Sequence, residues 1–155
     1  MVAYSTEPEI LDLIPHRDPF LFVDEIEEFE ANERVVTRWE VREDHDFFRG
    51  HYPAEPVLPG VLISEYAFQS GAILLKKSAD EGWDDSEDAI PVLAGIEKAR
   101  FKKLVRPGTT LRAEVKLDRS MANARYLSAR VSTDEGIVAR LSFVLAMATE
   151  AGSSE

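Results

Sequence analysis

"GHYPAEPVLPGVLISEYAFQSGAILLKK", residues 50–77, decides the fold. From Gly60 to Lys77 it reads as about five turns of helix, apolar on almost every face. A helix of that kind belongs in an interior rather than on a surface. Pro59 suits a first helical position, and Lys76 and Lys77 suit the negative end of the helix dipole. Glu65 breaks the apolar run. A carboxylate among Val61, Leu62, Phe68 and Gln69 costs several kcal/mol if charged and unpartnered. It must therefore find a partner or hold a proton near neutral pH. The plainer alternatives are a side chain exposed through a gap in the fold, or a buried hydrogen-bonding anchor.

The rest of the chain supplies what could cover such a helix. "STEPEILDLI" predicts a short helix capped by Ser5 or Thr6, and Pro15 and Pro19 in "IPHRDPF" end it. "LFVDEIEEFE" (21–30) reads as a strand. In "RVVTRWEVRE", Val35, Thr37, Trp39 and Val41 alternate with Val36, Arg38, Glu40 and Arg42, a strand with one buried and one wet face. After the helix, "PVLAGIEKARFKKLV", "TTLRAEVKLDRSM", "ARYLSARVSTD" and "GIVARLSFVLAMA" are strand-like, with "RPGT" and "DEG" as turns. The simplest packing is α+β: about six mostly antiparallel strands curled around one long helix. The tail "TEAGSSE" should fray.

The 155 residues suit one domain, 1–155, and the 45% apolar content is enough for a full core. The absence of cysteine excludes disulfides and thiolate metal sites. No signal-like N-terminus and no membrane-spanning stretch is visible, so a cytoplasmic protein with no membrane partner is expected. A formal charge of −11 argues against nucleic acid as a partner and suits solubility or a salt-rich cytoplasm. The charge is uneven. "SADEGWDDSEDA" (78–89) is acidic and reads as a mobile loop, whereas "KARFKKLVR" (98–106) carries five basic residues and no acid.

His51 lies in a loop stiffened by Pro53, Pro56 and Pro59. An imidazole neutral near pH 7 is a ready general base, and stiffness is what holds a base within reach of a substrate proton. An ordinary loop histidine is the alternative. The three histidines show no helical i, i+4 pair, which argues against a metal site. Gly60 adds a third element, because the N–H groups at a helix start are unpaired and a glycine lets a carbonyl approach them. A base, a carboxyl and an N–H donor together suggest proton removal α to a carbonyl, with stabilisation of the enolate oxygen.

Three blocks, "IPHRDPFLFVDEI", "FFRGHYPAEPVLPGVLISEYAFQSG" and "LAGIEKARFKKLVRPGTTL", resemble the 3-hydroxyacyl-[acyl-carrier-protein] dehydratases of the FabZ type. The resemblance runs over roughly residues 10–147 in order. It implies the hot-dog fold, a curved antiparallel sheet around a central helix. It assigns catalysis to His51 and Glu65, thioester binding to the Gly60 N–H, orientation of the histidine to the Val57 carbonyl, and support of the carboxyl to Gln69. It implies loss of water from a 3-hydroxyacyl thioester to give the trans-2-enoyl product in fatty acid biosynthesis, with no metal and no organic cofactor. The substrate would arrive on acyl carrier protein, an acidic partner that Lys98, Arg100, Lys102, Lys103 and Arg106 could dock. Alternating solvated strand charges are the plainer account of that cluster. The family site lies across a homodimer, with dimers often forming trimers of dimers.

Departures bear on chain length and pathway. "EYAFQSG" places Tyr66 and Phe68 where the family has smaller residues or methionine, which either shortens an acyl tunnel or repacks the sheet. Thr109 replaces a usual aspartate. The 80–88 run is a lid or plain solubility. His16 in "PHRDPF" is assigned a structural turn role. Competing readings are a dehydratase-isomerase, disfavoured because that branch carries aspartate at the Glu65 position, a specialised lipid or polyketide dehydratase, a non-catalytic acyl-carrier-binding module, and a thioesterase.

Overall fold

A computed structural model describes residues 6–78 and 89–148. The 80–88 run, the tail from 149 onward and Ser5 lie outside the described residues. In chain order the elements are α1 (Pro8–Leu13), β1 (Glu25–Glu30), β2 (Arg34–Glu40), a short 3-10 turn (Asp46–Arg49), α2 (Gly60–Lys77), β3 (Ile90–Phe101), β4 (Thr110–Met121), β5 (Ala124–Thr133) and β6 (Gly136–Ala148). The strands form one six-stranded sheet in the order β1-β2-β4-β5-β6-β3, antiparallel at every junction. It curves around α2 as the hot-dog fold expects.

The inner face of the sheet follows from the alternation in each strand. Val35, Thr37 and Trp39 of β2 sit opposite Val115, Ala113 and Leu111 of β4. Val115 and Ala113 then face Ala129 and Val131 of β5. All of these are buried, and with Leu127, Leu141, Phe143 and Leu145 they form the wall against which α2 packs. Between Ile63 and Leu75 every residue of α2 is buried except Glu65.

A helix buried this fully must satisfy its polar groups inside the protein. The Tyr66 hydroxyl lies 3.0 Å from the Thr37 carbonyl and 3.3 Å from that of Leu111. Thr37 Oγ1 lies 2.8 Å from Ser70 Oγ. Burial drives the Tyr66 phenol far above its ordinary pKa, so it is a neutral anchor. Tyr66 therefore repacks against the sheet, whereas Phe68 packs edge-on to Phe143 at 4.8 Å and also borders the cavity at Glu65.

Three local expectations change. Glu7, rather than Ser5 or Thr6, is the N-cap of α1, and no side chain caps it. Pro8 supplies the first turn without an N–H to satisfy, and the Glu7 carboxylate instead accepts the Ile26 N–H at 3.3 Å. β1 begins at Glu25 rather than at Leu21. The Phe22 N–H is taken by the Gln69 side chain at 2.9 Å. Although the Asp24 N–H still reaches the Arg38 carbonyl at 2.9 Å, the Glu40 N–H goes to the Asp24 carboxylate at 2.7 Å instead of to a backbone carbonyl. Pro59 is the N-cap of α2 and Gly60 its first residue.

The sheet's two edges differ. β1 presents "EIEEFE", a charged edge that resists further pairing. β3 is a long edge whose Ile90, Leu93, Ile96 and Phe101 are exposed by 41–52%. Gly71 shows how tightly α2 is held. A Cβ there would lie 3.1 Å from the Phe143 ring and 3.4 Å from Leu127 Cδ2, both buried side chains. Mid-helix Gly→Ala normally stabilises by about 1 kcal/mol. Here Gly71→Ala is expected to destabilise by about 1–3 kcal/mol through overpacking. Urea unfolding of the two proteins checks this, and a more stable variant contradicts it.

Candidate active site

Glu65 meets the requirement for partners stated by its surroundings. Its Oε1 accepts a hydrogen bond from Gln69 Nε2 at 3.1 Å. The Gln69 amide has its orientation set independently, since its Oε1 accepts the Phe22 N–H at 2.9 Å and its Nε2 also donates to the Phe20 carbonyl at 3.0 Å. The amide nitrogen is thereby aimed at the carboxyl. The second neighbour comes from the turn between α1 and β1: His16 Nε2 lies 3.5 Å from Glu65 Oε1. The carboxyl opens on a cavity of about 240 Å³ whose other walls are Pro15, Phe68, Ala72, the first residues of β3 and Leu145. It is a polar group at the end of an apolar pocket, a common design for small-molecule sites.

His51 occupies a different place in the chain's fold. Its Nδ1 lies 2.9 Å from the Val57 carbonyl oxygen. A carbonyl can only accept, so Nδ1 carries the hydrogen and Nε2 presents its lone pair, the form a general base requires. The ring stands edge-on to Tyr52 at 4.7 Å. Neither His51 nor Val57 borders the Glu65 cavity. Gly60 starts α2 about 7.5 Å before Glu65 along the helix axis. Gly60 and Val61 offer N–H groups that the helix cannot satisfy itself, and no acidic side chain neutralises that first turn. The Phe101 ring lies 3.4 Å from where a Gly60 Cβ would sit.

Among the basic residues of 98–106, Lys98, Arg100 and Lys102 share the outer face of the sheet, as strand alternation requires. They border a groove of about 370 Å³ with Lys116, Arg130 and Arg140, and one acid, Glu114, lies among them and pairs with Arg130 at 3.1 Å. Arg100 sits opposite Arg140, and Arg140 opposite Arg130. Lys103 and Arg106 point elsewhere: Lys103 donates to the Glu135 carbonyl at 2.9 Å and Arg106 pairs with Glu55 at 2.9 Å.

A family model described as a FabA-like domain matches residues 14–142. The chain belongs to the FabA-like family. The 3-hydroxyacyl-[acyl-carrier-protein] dehydratase FabZ of Clostridium tetani (strain Massachusetts / E88) is 40% identical over 131 residues, 84% of this chain and 89% of the relative. The FabZ dehydratase of Chloroflexus aggregans (strain MD-66 / DSM 9485) is 46% identical over 111 residues, 72% of this chain and 74% of the relative. Among solved structures, the dehydratase heterocomplex ApeI:P from Xenorhabdus doucetiae superposes with a TM-score of 0.77 at 14% identity, covering 92% of this chain and 93% of that one. A hypothetical thioesterase with coenzyme A from Streptococcus pneumoniae TIGR4 superposes at 0.59 with 15% identity, covering 81% of this chain and 85% of the other. At such identities these structures bear on the fold alone.

His16 is the site neighbour that sequence reasoning assigned to a turn. It is 49 residues from Glu65 in the chain, and nothing local links the two. The available signals were the match of "PHRDPF" to the family and the setting of His16 between Pro15 and Pro19, the same stiffened context that drew attention to His51.

A second histidine stands at the start of the turn that leads to His51. His45 precedes the 3-10 turn, stacks on Phe47 at 4.9 Å and meets Trp39 edge-on at 5.7 Å. Its Nε2 is buried without a hydrogen-bond partner. Burial, aided by the Arg42 charge and opposed by Asp44, holds its pKa below the ordinary histidine value. The unfolded chain therefore binds a proton at His45 near pH ~6.5, where the folded chain does not. Stability contributed by the neutral ring is present above that pH and is lost as pH falls through the window below it. His45→Phe is expected to keep the stacking and flatten the stability–pH curve as pH falls below about 6.5. Urea unfolding across that range checks this, and identical slopes in both proteins would refute it.

Proposed function

We propose that this enzyme is a cytoplasmic hydro-lyase that dehydrates 3-hydroxyacyl thioesters carried on acyl carrier protein, giving trans-2-enoyl thioesters in fatty acid biosynthesis. The observation that carries the reading is Glu65, the one residue between Ile63 and Leu75 that is not buried, whose carboxyl opens on a cavity and is held there by an amide of fixed orientation. The names of the FabZ relatives support the substrate class.

In this reading His51 Nε2 removes the C2 proton. The Gly60 N–H at the helix start stabilises the enolate-like oxygen of the thioester. The C3–O bond then breaks, the Glu65 carboxyl gives its proton to the departing hydroxyl, and water leaves. The proton on His51 returns to Glu65 by exchange before the next turnover. Each group supplies part of the acceleration, since positioned acid–base partners contribute about 100- to 10,000-fold.

Within one chain His51 and Glu65 open on different places, which supports a site shared between two chains. The apolar β3 edge is suited to pair with its copy, bringing the His51 loop of one protomer to the Glu65 cavity of the other. Trimers of such dimers belong to the same proposal. The outer-face groove of Lys98, Arg100 and Lys102, widened by Lys116, Arg130 and Arg140, is suited to an acidic carrier. Glu114 in the groove pairs with Arg130 at 3.1 Å, whereas Arg100 and Arg140 stand opposite each other and repel, a repulsion that a negative partner relieves.

His51→Ala and Glu65→Gln are each expected to lower kcat by about 1,000-fold or more while remaining folded by circular dichroism. Enoyl absorbance measures this, and near-wild activity in both variants defeats the assignment. Unfolding and refolding the two inactive variants together should restore about a quarter of the wild-type activity, because half the dimers are hybrids with one complete site. No restoration points to a site within one chain. Arg100→Glu combined with Arg140→Glu is expected to raise KM for the carrier-linked substrate by about ten-fold or more with kcat little changed, an effect that salt weakens. A pantetheine-linked substrate should be insensitive to the change. Equal loss on both substrates contradicts carrier docking at this groove.

A further inference from the structure

Two nitrogen atoms converge on one oxygen of Glu65. Gln69 Nε2 donates to Oε1 at 3.1 Å, and His16 Nε2 faces the same oxygen at 3.5 Å. The other ring nitrogen of His16, Nδ1, is buried and has no hydrogen-bond partner. A buried N–H without an acceptor is rarer and costlier than a bare lone pair. The ring therefore favours the tautomer with its hydrogen on Nε2, the nitrogen that faces the carboxyl. Oε1 is then confronted by two donors and by no acceptor.

We propose that His16 is a positioning residue that, with Gln69, makes the two carboxyl oxygens of Glu65 unequal: Oε1 is held as the acceptor, and the transferable proton resides on Oε2. This rests on the dehydratase reading, in which that proton goes to the departing C3 hydroxyl. A carboxyl free to carry its proton on either oxygen is misdirected for part of the time. The two fixed N–H groups remove that ambiguity, and after transfer they stabilise the carboxylate. Contacts of this length at catalytic groups often shorten when the substrate complex forms.

The surroundings leave few other candidates. On its own helix Glu65 faces Gln69. β3 and β6 contribute Ile90, Val92, Leu93 and Leu145 to the cavity and no titratable side chain. Arg17, next to His16, directs its guanidinium to the carbonyls of Leu11, Ile14 and His16 at 2.6–2.9 Å. It holds the turn in shape rather than contacting the carboxyl.

Glutamine can place an amide N–H near the position of an imidazole Nε2–H, whereas alanine and leucine cannot. With a 3-hydroxyacyl thioester, His16→Ala and His16→Leu are expected to lower kcat by roughly 10- to 100-fold, with KM little changed. His16→Gln should recover most of the rate, a rescue that a merely structural role would not show. Nitrogen-15 NMR of the unaltered protein should show His16 as the Nε2–H tautomer, a measurement that needs no variant to fold. Wild-type kcat in folded His16→Ala, an equal deficit in His16→Gln, or an Nδ1–H tautomer would each overturn the proposal. Absence of dehydration by the unaltered chain would instead defeat the dehydratase reading, while the NMR result would still decide the His16 contact.

Discussion

The Gln69 side chain is the interaction on which the site depends. It is almost fully buried, and all of its bonding capacity is directed by its neighbours. Its oxygen takes the Phe22 N–H and its nitrogen the Phe20 carbonyl, tying the segment before β1 to the middle of α2. That segment consequently stays out of the sheet and carries His16 to Glu65. The remaining N–H of the amide reaches the carboxyl. One buried polar group thus anchors a loop, sets where β1 begins, and orients the residue proposed to act as the acid. Such a network is stabilising only when it is complete.

The central element and the sheet were legible because their signals are periodic and long. An apolar run of five turns has few places to go, and alternation in "RVVTRWE" placed Val35, Thr37 and Trp39 on the inner face where they are found. The boundaries were less legible for a physical reason in each case. Nothing local in "LFVD" tells that a glutamine 47 residues later takes the Phe22 N–H. The first turn of α1 lacks a side-chain cap because Pro8 removes one of the donors that Ser5 or Thr6 was expected to satisfy.

The site was legible in its parts and less so in its assembly. Glu65 stood out because it interrupts an apolar helix, and the His51 ring lies 2.9 Å from the Val57 carbonyl oxygen. His16 was hidden by distance along the chain, since contact between a turn and a helix is a property of the folded state. The basic cluster divided along strand geometry. Lys98, Arg100 and Lys102 keep to one face, while Lys103 and Arg106 follow the end of β3 and turn to Glu135 and Glu55. Arg130 and Arg140 join the first three only because β6 lies between β5 and β3.

The unlike edges of the sheet set a limit on growth. A pairing through β3 buries the apolar edge of both copies and leaves β1 as the outermost strand at each end. That strand carries Glu25, Glu27, Glu28 and Glu30. Those carboxylates pair with Arg38, Arg112 and Arg34, and a strand so densely charged offers no neutral, flat edge to a third chain. Sheet extension would therefore terminate at two subunits without a cap, a helix or a proline to stop it. The charged strand at each end would act as a built-in chain terminator against fibre formation.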